Sequence, residues 1–337
     1  MTLAFETTKL SPILQLLAWM KNHAKTMNIK VREYTWIKEW LPDFADISVN
    51  LTPGMLAFSG RGTDRDPEVS IAKATVEAME RAICHWNGIH TNGVAADVDP
   101  YRAMNSAQLE LFERDRFFCH YLTKVPFRFC ERETAQLHEK IRCKDKLSKV
   151  DIKIYEMRPT HNAKFALCVG KPAENSGWEM GGVIGLGASA NFKDACEKAA
   201  IETLRNISYY FENGSLYDRI SIDDFKQLKT YQPMDHRNLA LHPPAFKNFG
   251  AFLQSSITEP LKEEYLGDVK LEIKPLACDF DKFKNLYIKV YRATSPDLQN
   301  AFWGPTTDEK LNMNRLSAFA GRELSLSDVE MFPHPLG

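Results

Sequence analysis

Two stretches of the chain share a length, an opening glycine and an acidic ending, and a third copies part of the pattern. Gly60 to Arg81 reads GRGTDRDPEVSIAKATVEAMER, and Gly93 to Arg114 reads GVAADVDPYRAMNSAQLELFER. Aligned without a gap, both place Asp-Pro early (Asp66-Pro67, Asp99-Pro100) and Glu-x-x-Glu-Arg late (Glu77, Glu80, Arg81; Glu110, Glu113, Arg114). Gly185 to Asn206, GLGASANFKDACEKAAIETLRN, keeps the glycine and Glu202 but has Arg205 and Asn206 where the others have Glu and Arg. A fold that gathers several carboxylates cannot keep them all ionised unless cations join them. The repeat therefore predicts a metal-dependent site for a polyphosphate ligand.

Each repeat reads as a loop, a cap and a helix. Asp66 and Asp99 suit the N-cap, where a side-chain oxygen takes an orphan N–H, and Pro67 and Pro100 suit the first helical position. Ala72, Val76, Met79, Ile83 and Trp86 recur at helical steps as a core-facing stripe, and Ala200, Leu204, Ile207 and Phe211 repeat that rhythm. Residues three apart share a helical face, so each Glu-x-x-Glu pair can aim at one point. A single such pair with its arginine is an ordinary surface ion pair worth roughly 0.2–0.5 kcal/mol. Recurrence in register is what favours a ligand site, because a surface has no reason to repeat its loop, cap and acid spacing together.

The net charge of -1 gives no electrostatic footprint for nucleic acid. The basic stretch Lys140 to Lys149 is interrupted by Asp145 and reads as a solvated face. Seven cysteines form neither a CxxC pair nor a zinc spacing, which suits buried free thiols in a reducing compartment. Ile13 to Met20 is broken by Gln15 and lacks a basic leader, so the N-terminus reads as an amphipathic helix and not a signal peptide. No run approaches a membrane span of about 20 apolar residues. The expectation is a cytoplasmic protein with no membrane and no nucleic-acid partner.

Residues 10–27 read as a helix and 29–36 as a strand. Asp151 to Met157, Lys164 to Val169 and Gly177 to Leu186 read as strands, 219–265 as weak helices, and Asn285 to Ala293 as a late strand. This is a mixed α/β (α+β) chain, and one intertwined domain fits it better than two. No GxxxxGK[ST] occurs, so a P-loop is excluded. Gly185-Leu-Gly187-Ala-Ser-Ala190 matches a dinucleotide fingerprint, but it is already the head of the third repeat. There is no HExxH, no histidine ligand spacing and no GxSxG.

These residues resemble the YcaO family of ATP-dependent enzymes that activate peptide-backbone amides. The resemblance rests on Ser59-Gly-Arg-Gly62 leading to Glu77-Ala-Met-Glu80-Arg81, on Leu109-Glu-Leu-Phe-Glu-Arg-Asp115, and on GLGAS with Glu202. Weaker matches run from Asp235-His236 through Leu253 and from Val290 to Gly304. It implies a single YcaO-like domain built from repeated loop-helix and strand units, with residues 1–49 as a lead-in and 50–337 as the ATP-binding catalytic part.

The resemblance further implies ATP held without a P-loop, through magnesium on helix-borne glutamates. Carried over by position, Glu77, Glu110 and Glu113 are expected as magnesium ligands, with Glu80 as ligand or positioner. Mg²⁺ suits carboxylates combined with phosphate oxygens. Arg81 and Arg114 would orient the glutamates or touch phosphate, with Glu202 nearby. Ser59, Gly60, Arg61 and Gly62 would line the nucleotide, the glycines allowing close backbone approach. Arg61 stands where many members have lysine, and Arg205 where many have glutamine.

In the family's logic a nucleophile adds to the amide carbonyl, the oxyanion attacks the γ-phosphate of ATP, and loss of phosphate leaves a C=N or C=S product. The nucleophile is open: a Cys, Ser or Thr side chain (azoline), sulfide (thioamide) or an amine (amidine). The expected partners are a precursor peptide and a separate leader-binding or sulfur-delivery protein, with a homodimer left open. Phe332-Pro-His-Pro-Leu-Gly337 partly resembles the alternating-proline tail of azoline-forming members. A frayed end is an equal reading, and if the tail reaches the site, His334 or the terminal carboxylate would serve as a base. Two other functions stand beside this one: a nucleotide-binding scaffold subunit without chemistry, and an ATP-dependent ligase acting on a small carboxylate.

Overall fold

The computed structural model describes residues 12–160, 162–174, 176–213 (side chains to 210), 219–278, 283 and 288–337. They separate into two compact units that interleave in sequence. One takes residues up to Lys38, Pro42–Ala107 and Ile273–Arg292, and the other takes Glu39–Leu41, Gln108–Glu272 and Ala293–Gly337. Among the described residues no helix is long and apolar enough to cross a membrane.

In the first unit, α1 (Pro12–His23) is followed by β1 (Lys30–Tyr34), β2 (Ala45–Leu51) and β3 (Phe58–Asp64), an antiparallel sheet in that order, with the short helix α2 (Trp36–Trp40) between β1 and β2 in sequence. Helix α3 (Pro67–Trp86) lies against β2 and β3. Its start is set as its sequence suggests, the Asp66 carboxylate accepting from the Glu68 N–H at 2.8 Å. Ile47, Val49 and Leu51 pack with Ala74, Ala78, Met79 and Ile83 and with Leu16, Trp19 and Met20 of α1. Trp86, read as the last residue of the buried stripe, is 42% exposed, since the helix ends there. A second small sheet takes the order β4 (Val94–Asp97), β10 (Lys289–Thr294) and β9 (Glu272–Pro275).

The helix α4 (Pro100–Thr123) is capped like α3, Asp99 accepting from the Tyr101 N–H at 2.9 Å. The second unit also holds a four-stranded antiparallel sheet, β5 (Arg128–Phe129), β6 (Val150–Met157), β7 (Lys164–Pro172) and β8 (Val183–Ser189), with the helices α5 (Glu131–Lys140) and α6 (Lys144–Leu147) between β5 and β6 in sequence and the long helix α7 (Phe192–Asn213) on the sheet. Ile152, Phe165, Leu167, Ala199, Leu204 and Ile207 are buried, as are Phe117, Phe118 and Leu122 of α4. Three short helices, α8 (Ile222–Gln227), α9 (Pro233–Ala240) and α10 (Pro243–Gln254), occupy the proline-bearing stretch, and α11 (Met313–Ala320) comes near the end. All seven cysteines are free. Of the other sequence-based elements, residues 10 and 11 of the first helix and 285–287 of the late strand lie outside the described residues, as does the Phe211 side chain.

One expectation changes. The glycine-headed segment at Gly60 is a strand inside the antiparallel hairpin β2–β3 and not a loop, while Gly185 lies in a strand as expected, β8 of the hairpin β7–β8, which runs over Val183–Ser189 and not Gly177 to Leu186. A Cβ on Gly60 would lie 2.0 Å from the Ala74 carbonyl oxygen, and one on Gly62 2.0 Å from that of Ser70. On Gly185 it would meet the Ala199 oxygen at 2.4 Å, and on Gly187 the Ala195 oxygen at 2.1 Å. In both hairpins glycine at alternate positions brings the helix backbone directly onto the strand. A strand whose inward positions are glycine carries no apolar alternation, which is why its pattern misleads. The antiparallel setting also removes the dinucleotide reading of GLGASA, which needs a parallel βαβ unit.

Candidate functional site

Glycine packing sets the reach of the glutamate that follows each pair. The Glu77 carboxylate on α3 accepts from the Arg61 backbone N–H at 2.6 Å, and Glu202 on α7 accepts from the Leu186 N–H at 2.8 Å. In each case the donor is the residue between the two glycines, sixteen positions earlier. First and third repeats are thus one device used twice, a hairpin whose second strand is locked to a helix by two glycines and an acid.

In the first unit, Glu77 also accepts from Arg81 at 2.6 Å, and Arg81 donates to the Ser59 carbonyl at 2.8 Å. One glutamate therefore fastens both the strand and the arginine one helical turn on. The Arg61 side chain is committed elsewhere. Its Nε lies 2.9 and 3.1 Å from the two oxygens of Asp46, its Nη2 also bonds Asp46, and the guanidinium sits 4.8 Å over the Tyr34 ring. Asp46 is fully buried on β2 and also accepts from the Thr63 hydroxyl at 2.9 Å. Glu80 is partly buried on α3. Gly60 and Gly62 owe their identity to the helix contact, so close approach to a nucleotide is not needed to explain them.

In the second unit, Glu110, Glu113 and Arg114 of α4 act together with Glu202 of α7. Arg114 lies 3.7 Å from Glu110. Burial, and then the negative charges of Glu202 and Glu110, push the Glu113 carboxyl up to about 8 against the opposing pull of Arg114 and Lys198. Burial alone would lower Arg114, but Glu110, Glu113 and Glu202 more than offset it and hold it above its usual value. Three carboxylates gathered with Arg114 and Lys198 offer hard oxygen donors, the donor type that a magnesium–polyphosphate complex takes, so these residues fit that group. Among the described residues no group of three or more His, Cys, Asp or Glu side chains is arranged so that it could hold a metal ion by itself. The acids of the first and second repeats fall in different units, Glu77 and Glu80 in one, Glu110, Glu113 and Glu202 in the other.

The tail is not frayed. Pro333, His334, Pro335 and Leu336 are buried. The Tyr121 hydroxyl donates to the carbonyls of Phe332 (3.0 Å) and Pro333 (3.2 Å). His334 stacks on His236 with centroids 3.9 Å apart, and its Nε2 donates to the Phe302 carbonyl at 2.8 Å. Burial and the neighbouring His236 drive it well below the usual histidine range, with Arg114 adding to the effect. His334 also packs edge-on against Phe118 of α4 with centroids 4.6 Å apart, which sets the tail against that helix one turn beyond Arg114.

Sequence reasoning passed over the ionic frame behind α4. Buried Asp115 takes Arg315 at 2.9 and 2.7 Å, and Arg315 also reaches Glu264 at 2.6 Å. Arg116, fully buried, bonds Glu264 as well. Asp115, next to the last repeat residue, was within reach of the reading, since a helix that already carries an acid and an arginine rarely buries two more charges without partners. Asp46 gave a fainter signal, an acid in the apolar run Ala-Asp-Ile-Ser-Val. Glu264 and Arg315 gave none.

A family model described as YcaO cyclodehydratase, ATP- and Mg2+-binding, matches residues 81–299. No curated protein matches the sequence. Among solved structures, the chain is similar to a heterocyclase in complex with substrate and cofactor (TM-score 0.65, 10% identity), covering 100% of this chain and 59% of that one. It thus spans little more than half the length of that protein. It is also similar to YcaO from Methanopyrus kandleri bound with AMPPCP and Mg2+ (TM-score 0.55, 13% identity; 89% of this chain, 96% of that one). A third similar structure is the E. coli microcin synthetase McbBCD complex (TM-score 0.52, 12% identity; 86% and 93%). At these identities the structural likeness speaks for the fold, which is the mixed α/β fold of YcaO structures.

Proposed function

The chain belongs to the YcaO family, and on that premise we propose that it is an ATP- and Mg2+-dependent enzyme that activates a backbone amide of a ribosomally made peptide. The observation that carries the reading is the gathering of Glu110, Glu113 and Arg114 of α4 with Glu202 of α7, the last fixed by the Leu186 N–H at 2.8 Å.

Glu77 and Glu80 in the first unit, and Glu110 and Glu113 in the second, are each proposed as magnesium ligands. Ser59, Gly60, Arg61 and Gly62 are proposed as nucleotide-contacting residues, as is Glu202. When bound, ATP supplies a phosphoryl group that converts the amide oxygen into a leaving group, and Mg2+ spreads the negative charge that develops. Arg114 is proposed to stabilise charge that appears next to Glu110 and Glu113, a role its pairing with Glu110 at 3.7 Å supports. Arg81 holds Glu77 from the other side, so the acid meets a ligand already oriented. His334 keeps its proton off through burial and would be a candidate base beside Arg114.

Cyclodehydration to an azoline, with a Cys, Ser or Thr of the substrate as nucleophile, is the preferred outcome. The family description as cyclodehydratase and the likeness to a heterocyclase support it. A separate protein delivering the peptide is part of the proposal, supported by the likeness to a synthetase that is a complex. The test is incubation with ATP, magnesium and candidate peptides, reading phosphate release and product mass. Loss of about 18 Da means cyclodehydration or amidine formation, and gain of about 16 Da means thioamide. Nucleotide binding with no turnover on any peptide would favour a scaffold subunit, and phosphate release that needs only a small carboxylate would favour a ligase.

A further inference from the structure

The sheet of the second unit has two faces, and only one is taken by α7. Gly170 on β7 lies under Ile207 and Thr203 of α7, and Thr203 donates to the Cys168 carbonyl at 3.0 Å, so the even positions of β7 face that helix. Strand alternation sends Val169 and Lys171 to the opposite face, together with their β6 partners Lys153 and Asp151. There α10 and the segment around Trp178 frame two cavities of about 670 and 220 Å³ that share Lys171, Gly250 and Gln254 and so form one continuous groove.

Its lining mixes cations with apolar surface. Lys153, Lys171, Lys247 and Arg219 stand against two acids, Asp151 and Glu179, which leaves the groove positive in a chain whose net charge is -1. Asp151 lies 2.9 Å from Lys153 and 3.7 Å from Lys171, holding both lysines along the floor. Arg219 is steadied by the Tyr210 hydroxyl at 2.8 Å. Phe129, Tyr155, Leu253 and Phe246 supply the apolar patches between the charges. Gly250 is the second clue. It sits inside the twelve-residue helix α10, where glycine costs about 1 kcal/mol relative to alanine. A Cβ there would meet nothing within 4 Å, so packing does not require the glycine, and a larger side chain would project into the passage between the two cavities.

We infer that this groove binds an extended, acidic segment of the peptide substrate. Alternating carboxylate and apolar side chains match spaced cations with apolar patches between them. A phosphate at every unit of a nucleic acid would instead meet Asp151 and Glu179 as well. The inference rests on the peptide-modifying reading only for the owner of the segment.

The test uses the full chain and a fluorescein-labelled peptide of alternating glutamate and leucine, with a lysine-for-glutamate counterpart, followed by anisotropy without nucleotide. The acidic probe should bind roughly tenfold tighter than the basic one, and Lys171→Glu with Lys247→Glu should weaken it by roughly tenfold or more. Gly250→Leu should also block the probe while leaving thermal stability at or above that of the native chain, which separates occlusion from unfolding. Native-like probe binding by both variants overturns the inference. So does equal displacement of the probe by an oligothymidylate, since the groove would then take any polyanion. Turnover with the KM for peptide unchanged in the Lys171→Glu, Lys247→Glu variant sinks the groove alone. Probe binding without turnover on any peptide sinks the proposed reaction alone.

Discussion

The Glu202 carboxylate closes on the Leu186 backbone N–H at 2.8 Å, and the same bond over the same separation in sequence joins Glu77 to Arg61. An acid that caps a strand amide is held in one position before any ligand arrives. At Glu77 the second oxygen accepts from Arg81 at 2.6 Å, so one side chain fixes both strand and arginine.

That division of labour can be tested at Glu77. Glu77→Gln keeps an acceptor for the Arg61 N–H, so stability should stay within about 1 kcal/mol of native. Magnesium-dependent ATP binding, followed by calorimetry, should fall by roughly 100-fold, since a neutral amide is a poor ligand for a hard cation. Glu77→Ala should lose the same binding and a further 1–3 kcal/mol or so, because a strand N–H is left without its partner. Native-like Mg–ATP binding by the Gln variant would remove Glu77 from the site.

Glu113 makes a second prediction. With its carboxyl raised to about 8, it is mostly protonated at pH 7. Binding of Mg–ATP beside it favours the anion, so close to one proton should leave. The binding enthalpy measured at pH 7 in buffers of different ionisation heat should then differ in proportion. The release should shrink as pH rises past 8, where the acid is already ionised, and should vanish in Glu113→Gln.

Glycines of two kinds should answer oppositely to alanine. Gly60→Ala and Gly185→Ala each push a Cβ against a helix carbonyl, at 2.0 and 2.4 Å, and should cost about 3 kcal/mol. Gly250→Ala meets open space and should stabilise by about 1 kcal/mol through helix propensity. Urea unfolding of the three variants reads both signs.

Buried neutral histidines should set the acid limit. The Nδ1 of His120 donates to the Val125 carbonyl at 2.9 Å, while its Nε2 accepts from the Arg158 N–H at 2.9 Å. His236 is held the same way, between the His334 carbonyl (2.9 Å) and the Gly304 N–H (2.7 Å). Burial pushes the first down to about 3 and the second to about 4. Unfolded chains bind those protons below about 6.5 and the folded one does not. Stability from these groups is therefore complete above pH 6.5 and falls as pH drops toward 4, by about 1.4 kcal/mol per unit for each histidine. A flat urea midpoint between pH 6.5 and 4.5 would contradict this.

Arg315→Met should be among the most damaging single changes. It strands Asp115 in the interior and removes a partner of Glu264, at a cost of about 3–5 kcal/mol. Adding Asp115→Leu should recover much of that loss, and the double-mutant cycle in chemical unfolding measures the coupling.

The acids, the Asp caps and the later strands were legible because each follows from local chemistry. Asp66 and Asp99 cap as a short side chain before Pro must. Gly60 reads as a loop residue in the sequence because the reason for it lies across space, in the carbonyl of Ala74. Arg61 reads as a nucleotide-lining residue, and only the fold reveals Asp46 and Tyr34 around its side chain. Arg315 and Glu264 are far apart in sequence and have no periodic signature, so their pairing could not be read in advance. The tail's prolines were visible, but not the pocket that His236, Phe302 and Tyr121 build for it.

Where bare backbone touches bare backbone, as at Gly60 and Gly185, nothing between helix and strand can yield. Shortening Glu77 or Glu202 to aspartate would pull the oxygens back by one methylene, and neither element could slide over to restore the contact. Length, as well as charge, is thereby dictated at these two positions.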